Sequence, residues 1–403
     1  MAAGIIVEFN PLHNGHMEHL HETRRLTQRE QIIAVMSGNF VQRGEPAICD
    51  KWRRTKMALL AGVDIVIELP VGYVLSGADY FARASVGLLA ATGVVDSLCF
   101  GSESGELAQI IEAGRVLSQE PEEYQIALRR NLANGLSFAA ARGDALKGML
   151  NDTPPDLFTK PNNGLGIEYC KALWQINWPM EVSTSYRATG GPSATAIRKM
   201  IWDKQPESRA SKRALDTSLL NTMGDNQLDL TAKFLPSHVI EILNDVINAN
   251  EIVKLDNFST IFRHQILSTQ PNMGEGLENR FRYFANRHNT LTEILDAVKT
   301  KRYTYTRLQR AAIRLVLGVE QNHIDKLQYI RVLGFRKDAA KLLGEMTRRA
   351  SLPVITTGQA MDQLKGAASA MLVKEFEAAD IYRLAYNKVR NYKHEREIPI
   401  VTV

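Results

Sequence analysis

Cysteine is scarce in this chain: Cys49, Cys99 and Cys170 are scattered through 403 residues. An odd number in three unrelated contexts excludes a disulfide framework and a CxxC-type metal site. No apolar run approaches the roughly 18 residues that a membrane helix needs. The start, Met1-Ala2-Ala3-Gly4-Ile5-Ile6-Val7, has no basic leader and meets Glu8 early, which argues against a secretory signal. The dipeptide Gly-Lys never occurs and no GxGxxG string is present, so neither a Walker loop nor a dinucleotide fingerprint competes for phosphate binding. Internal repeats and low-complexity stretches are also missing. The chain reads as a cytoplasmic globular protein, with neither a membrane nor an obligate protein partner implied.

What is present is ordinary globular composition, 45% hydrophobic and 23% charged. The length exceeds what one hydrophobic core usually supports, so two domains are expected. The net charge of +5 is modest, but it is unevenly placed. From Lys299 through Arg349 thirteen Lys or Arg stand against four acids, Glu320, Asp325, Asp338 and Glu345. That segment is the first candidate for a polyanionic partner.

The first half alternates β-branched runs with helical patterns, the signature of a parallel sheet covered by crossover helices. Strands are expected at residues 4–9, 32–36, 64–69, 97–100 and 181–185. Helices are expected at residues 14–25, 51–61, 78–91, 106–117, 166–175 and 193–202. Residues 203–235 are polar and hold the expected boundary, giving residues 1–205 as a catalytic α/β domain and 206–403 as a mainly helical one. Leu352 to Thr356 reads as an isolated strand.

The most informative stretch is Ile6-Val7-Glu8-Phe9-Asn10-Pro11-Leu12-His13-Asn14-Gly15-His16. A hydrophobic strand gives way to an Asn-Pro turn, and two histidines three apart straddle a glycine where a helix begins. In doubly wound sheets ligands bind at such strand ends, and the free N–H groups of the helix attract phosphate. Gly15 lets a base or phosphate press against the backbone. His13 and His16 can both point at one triphosphate and donate to its oxygens as negative charge builds. Taken alone, an HxxH pair is more often surface decoration or, with His19, part of a metal site. Its position after the first strand favours nucleotide binding.

The string Phe9 to His16 resembles the HxGH signature of the nucleotidyltransferase and class I synthetase superfamily, whose members attack the α-phosphate of ATP and expel pyrophosphate. Pro192-Ser193-Ala194-Thr195-Ala196-Ile197-Arg198 resembles its second signature. In that role Ser193 caps a helix and helps bind phosphate, and Arg198 neutralises the leaving pyrophosphate. Read without the first motif, Ser193 is only a cap and Arg198 a solvated face.

Longer strings narrow the likeness: Ser37 to Pro46, Lys51-Trp52 with Arg54 to Ala58, Asp64 to Pro70, Phe100-Gly101-Ser102-Glu103 and Lys301-Arg302-Tyr303-Thr304. In this order they resemble the bacterial tRNA(Met) cytidine acetate ligase family over nearly the whole chain. The resemblance implies a Rossmann-like, HUP-type parallel sheet followed by a mainly α-helical domain. It implies that acetate and ATP form acetyladenylate and that the acetyl group passes to N4 of the wobble cytidine of elongator tRNA(Met). His13, His16 and Arg198 carry the chemistry in this reading. The nucleotide is held by the first loop, namely Ile6, Val7, Glu8, Phe9, Asn10, Pro11, Leu12, Asn14, Gly15, Met17, Glu18 and His19. Gly101, Asn162, Arg187, Ala188 and Ser193 complete that set. Magnesium is expected with ATP, although no carboxylate cluster marks a metal cage.

For the RNA, Lys301, Arg302, Tyr303, Arg307 and Arg310 mix cations with an aromatic ring, suited to phosphates and to stacked bases. Arg331, Arg336, Lys337, Lys341, Arg348 and Arg349 form a second candidate patch. A run of Lys and Arg on a helix is usually only a solvated face. Two other functions stay open: adenylation of a small phosphorylated metabolite on the same fold, and an RNA-binding or assembly protein with a degenerate nucleotide fold.

Overall fold

The computed structural model describes residues 1–150, 154, 156–186, 192–203, 229–300, 302–320, 326–386 and 392–403. Arg187, Ala188 and Lys301 lie outside the described residues, as does the expected boundary at 205. The five anticipated strands form: β1 Ala2–Val7, β2 Ile32–Ser37, β3 Ile65–Leu69, β4 Val95–Ser102 and β5 Glu181–Tyr186. β2 and β3 are buried at every position, as parallel strands covered on both faces must be. All five pair in parallel in the order β5-β4-β1-β2-β3. The chain moves outward from β1 to β3 and then returns to lay β4 on the other flank of β1. This reversal opens a crevice beyond the carboxyl ends of β1 and β4.

Helices cover both faces of the sheet. Leu20 of Asn14–Thr27, Met57 of Lys51–Leu60 and Ile197 of Ala194–Trp202 share one core with Ile5 and Met36. Leu88 of Ala78–Ala91, Ile110 of Leu107–Gln119 and Ile167 of Pro161–Ile176 share the other with Ile33 and Leu98. A third core belongs to the C-terminal helices Ser259–Ser268, Leu277–Ala285, Leu291–Val298, Tyr305–Leu317 and Ala367–Arg383.

The second half is mainly helical, as expected, and it also adds strands to the sheet. β6 Ile330–Phe335 runs antiparallel to β3, and β7 Val354–Ile355 and β8 Val401–Thr402 pair with β6. The run expected as an isolated strand is therefore part of an eight-stranded sheet, and Ile330, Val332 and Leu342 enter a core of the first half. β6 escapes a reading by pattern because Arg331 sits in its middle. That arginine is 1% exposed, paired at 2.8 Å with Glu68 and at 3.1 Å with Glu395, so it also drops out of the second RNA patch. Lys51 reaches the same two carboxylates at 2.7 and 2.8 Å. Buried charges endure only when compensated in this way.

Candidate active site

The site begins with a reversal of the chain after β1. Phe9 lies in the left-handed region at φ 46, a conformation that strains a bulky residue and recurs at functional turns. Buried Arg54 holds this turn, donating to the Glu8 carbonyl at 2.6 Å and to the Ser37 carbonyl at 3.0 Å. It thereby ties the carboxyl ends of β1 and β2 together, a role that no local pattern announces. Asn10 completes the turn, its Oδ1 accepting from the Ile48 N–H at 2.8 Å.

His13 then serves as the extended residue before the helix Asn14–Thr27. Its backbone N–H donates to Nδ1 of His16 at 3.1 Å, and the two imidazoles stack with centroids 3.8 Å apart. Phe9 meets His16 edge-on at 5.1 Å. Because Nδ1 of His16 accepts, its neutral ring carries the proton on Nε2, where it can be donated to an anion. A Cβ on Gly15 would lie 3.1 Å from Cε1 of His13, so any larger residue would press on the stacked pair.

These residues border a cleft of about 1500 Å³. Of the first loop, Ile6, Val7, Glu8, Phe9, Asn10, His13, Asn14, Gly15, His16, Met17, Glu18 and His19 line it. Pro11 and Leu12 do not: both are buried, and Leu12 is packed in the core beneath the turn. Nδ1 of His19 lies 2.7 Å from the Ser185 hydroxyl, linking the helix to β5.

Across the crevice stands Gly101 on β4, where an added Cβ would meet nothing closer than 3.9 Å. Protein packing does not demand glycine there, and the bare backbone faces the cleft. Asn162 also lines it, its amide donating to Oε1 of Glu103 at 2.9 Å. Glu103 further accepts from the Asn163 N–H at 3.0 Å and so pins the helix Pro161–Ile176 to β4. This anchoring residue stood within the Phe100–Glu103 string without a role.

Ser193 caps the helix Ala194–Trp202 through its Oγ, as expected. Arg198 is 4% exposed, donating to the Asn10 carbonyl at 2.9 Å and pairing with Glu45 at 2.6 Å. It is therefore no solvated face. Its charge is shared with Glu45, so a phosphate must draw it partly away from that carboxylate. Glu8 accepts from the Gln42 N–H at 2.6 Å, and burial holds its carboxyl above the usual range against the pull of that bond and of Arg54.

The basic segment is brought only partly into play. Arg302 and Arg307 both end on Glu275, at 3.0 and 3.1 Å. Tyr303 is 7% exposed inside the helical core, which corrects its assignment as a stacking platform: the ring had more to gain from burial. Arg310 donates to the Gln42 carbonyl at 3.4 Å, bracing a wall of the cleft.

Taken together, a β1–β4 switch point, a stacked HxGH pair at a helix start and a capped second signature define an α/β nucleotidyltransferase fold. The HIGH Nucleotidyl Transferase family model matches residues 1–397, and the chain belongs to that family. Curated relatives named tRNA(Met) cytidine acetate ligase include one from Clostridium kluyveri, 38% identical over 373 residues and covering 88% of each chain. Another, from Caldanaerobacter subterraneus subsp. tengcongensis, is 37% identical over 410 residues and covers 99% of each. The crystal structure of Thermotoga maritima TmcAL bound with alpha-thio ATP superposes with a TM-score of 0.85 at 31% identity, covering 100% of this chain and 99% of that one.

Proposed function

We propose that this chain is an ATP-dependent ligase that activates acetate as acetyladenylate and transfers the acetyl group to N4 of the wobble cytidine of elongator tRNA(Met). The carrying observation is the stacked His13–His16 pair at the edge of a cleft of about 1500 Å³. That exceeds the 300–1000 Å³ typical of small-ligand sites, which leaves room for an acceptor beside a nucleotide. The names of the relatives give a cytidine of tRNA(Met) as their acceptor, which supports this reading.

Acetate is ionised at neutral pH, so its attack on the α-phosphate needs alignment and charge neutralisation rather than a base. The Nε2–H of His16, the His13 ring and Arg198 answer that need in kind. In the second step the amine nitrogen bonds to the acetyl carbon. The bond from that carbon to the phosphate oxygen breaks, and AMP leaves with the electron pair. The nitrogen's surplus proton goes to Glu8, a carboxylate that lines the cleft and whose proton affinity burial raises. Magnesium would be held by the Glu8 and Glu45 carboxylates, which are oxygen donors on the cleft wall, and would offset the charge of the triphosphate. Among the described residues no group of three or more His, Cys, Asp or Glu could hold a metal alone. The helical half, with Arg302, Arg307 and Arg310, would take the RNA. Residues 206–403 and 1–205 would divide the labour while sharing one sheet.

Incubation with radiolabelled acetate, ATP and bulk tRNA, followed by nucleoside analysis, is expected to give labelled N4-acetylcytidine. ATP–pyrophosphate exchange indifferent to acetate but driven by a phosphorylated metabolite would overturn this reading.

A further inference from the structure

The cleft has two sides, and the groups facing them differ. Gly101 and Asn162 lie on the β4 side. On the other side the walls are Val41, Gln42, Arg43 and Glu45, which follow β2, with Ala78 and Phe81, which follow β3. This second rim is where the helical half meets the sheet. Arg310 reaches the Gln42 carbonyl, and Arg314 donates to the Leu75 carbonyl at 3.2 Å. Gly44 lies so close to the helix Tyr305–Leu317 that a Cβ there would come within 2.4 Å of the Arg310 nitrogen.

Cations accumulate along this seam. Burial, with help from Arg314 and Arg307, lowers the Arg310 guanidinium to about 10, and Asp79 is the acid that opposes them. Next to Asp79, Tyr80 is 41% exposed and Arg83 holds its guanidinium 5.1 Å from the ring centroid. Both stand in the first turns of Ala78–Ala91, the helix whose Ala78 and Phe81 wall the cleft. Arg43 is exposed on the cleft's edge. Neither Arg43 nor Arg83 forms an ion pair with a carboxylate among the described residues.

We propose that Arg43, Tyr80 and Arg83 form the entrance for a single-stranded RNA loop, Tyr80 stacking on a base beside the one that enters the cleft while the two arginines hold flanking phosphates. The assignment rests on the acetate-transfer reading above and names the route by which its acceptor arrives. An arginine over a tyrosine on a surface helix is common and often serves nothing but solvation. Here Arg43 lines the cleft, and the exposed ring and Arg83 stand on the helix whose Ala78 and Phe81 wall it, both cations without a carboxylate partner among the described residues. A loop of unpaired nucleotides offers the π-faces and phosphates that such a border takes. A duplex hides its base faces and would leave Tyr80 unused.

The test measures tRNA binding by fluorescence anisotropy over a salt series, together with acetylation kinetics. Tyr80→Ala is expected to weaken tRNA binding about ten-fold with its salt slope intact, and Tyr80→Trp to restore it. Arg83→Glu is expected to weaken binding and to lower the slope of log K against log salt by about one. Acetate-dependent ATP–pyrophosphate exchange without tRNA should stay at the parent level in both, because neither side chain lines the cleft. Absence of that exchange in the parent protein would sink the acetate reading itself. Intact exchange, with a Tyr80→Ala/Arg83→Glu double variant that binds and acetylates tRNA normally, would sink the entrance alone. So would unchanged tRNA binding accompanied by lost binding to vesicles of phosphatidylcholine and phosphatidylserine in equal parts, which would give the patch to a lipid surface.

Discussion

The first loop stands out by its motif and the basic segment at Lys299 to Arg310 by its charge, and folding treats them differently. In the loop, His13 and His16 are ordered by a backbone N–H and by each other, and both line the cleft. In the basic segment, Arg302 and Arg307 are spent on Glu275, Tyr303 is buried, and Arg310 braces Gln42. A motif tied to a chain reversal keeps its side chains because the reversal itself makes the cleft. Enrichment in charge carries no such guarantee, since any carboxylate or carbonyl within reach can absorb a cation.

The largest expected effect bears on the loop. His16→Ala removes the donor on Nε2 and should lower acetate-dependent ATP–pyrophosphate exchange by about 10²–10³ while leaving tRNA affinity unchanged. If His16 merely steadied the helix start, the variant would melt earlier and exchange normally.

Tyr303→Ala attacks the other side of the comparison. The ring sits among apolar helices and its hydroxyl donates to Glu275 at 3.0 Å, so truncation should cost about 3 kcal/mol or more in urea unfolding. Retained stability with weakened RNA binding would restore the stacking platform. The same burial shows why the sequence told less about this half. Lys301-Arg302-Tyr303 reads as a nucleic-acid patch because the Glu275 that takes the ring's hydroxyl lies 28 residues away.

β1 to β3 were legible because each is a short hydrophobic run, and the HxGH turn follows the first of them. β6 was not, because burying Arg331 depends on Glu68 and Glu395, 263 and 64 residues distant. Arg54 and Glu103 were missed as site residues for the same reason: each acts through a carbonyl or N–H on another element.

The buried charges behind β3 give a smaller effect with a definite sign. Burial, aided by Glu68, pushes the Glu375 carboxyl up to about 8 against the pull of Lys51. A raised carboxyl favours the folded state when protonated, so its contribution is present below about 4.5 and lost as pH rises through about 8. Gln at this position keeps an acceptor for the Val71 N–H, now at 2.6 Å. Glu375→Gln should therefore exceed the parent in stability at pH 9 by at least about 1 kcal/mol and match it near pH 5. A gap independent of pH would refute the assignment.

The smallest effect returns to the basic segment and tests whether it touches RNA at all. Arg302 is 71% exposed and pairs with Glu275 at 3.0 Å, an exposed bridge that solvent screens. Arg302→Ala should scarcely move the unfolding midpoint, and if the guanidinium meets a phosphate it should lower the salt slope of tRNA binding by about one. Glu275→Ala should do the reverse, since it frees both Arg302 and Arg307 from their carboxylate and so strengthens binding at low salt. Should neither variant alter the slope, these arginines serve only the fold, and phosphate recognition lies elsewhere on the chain.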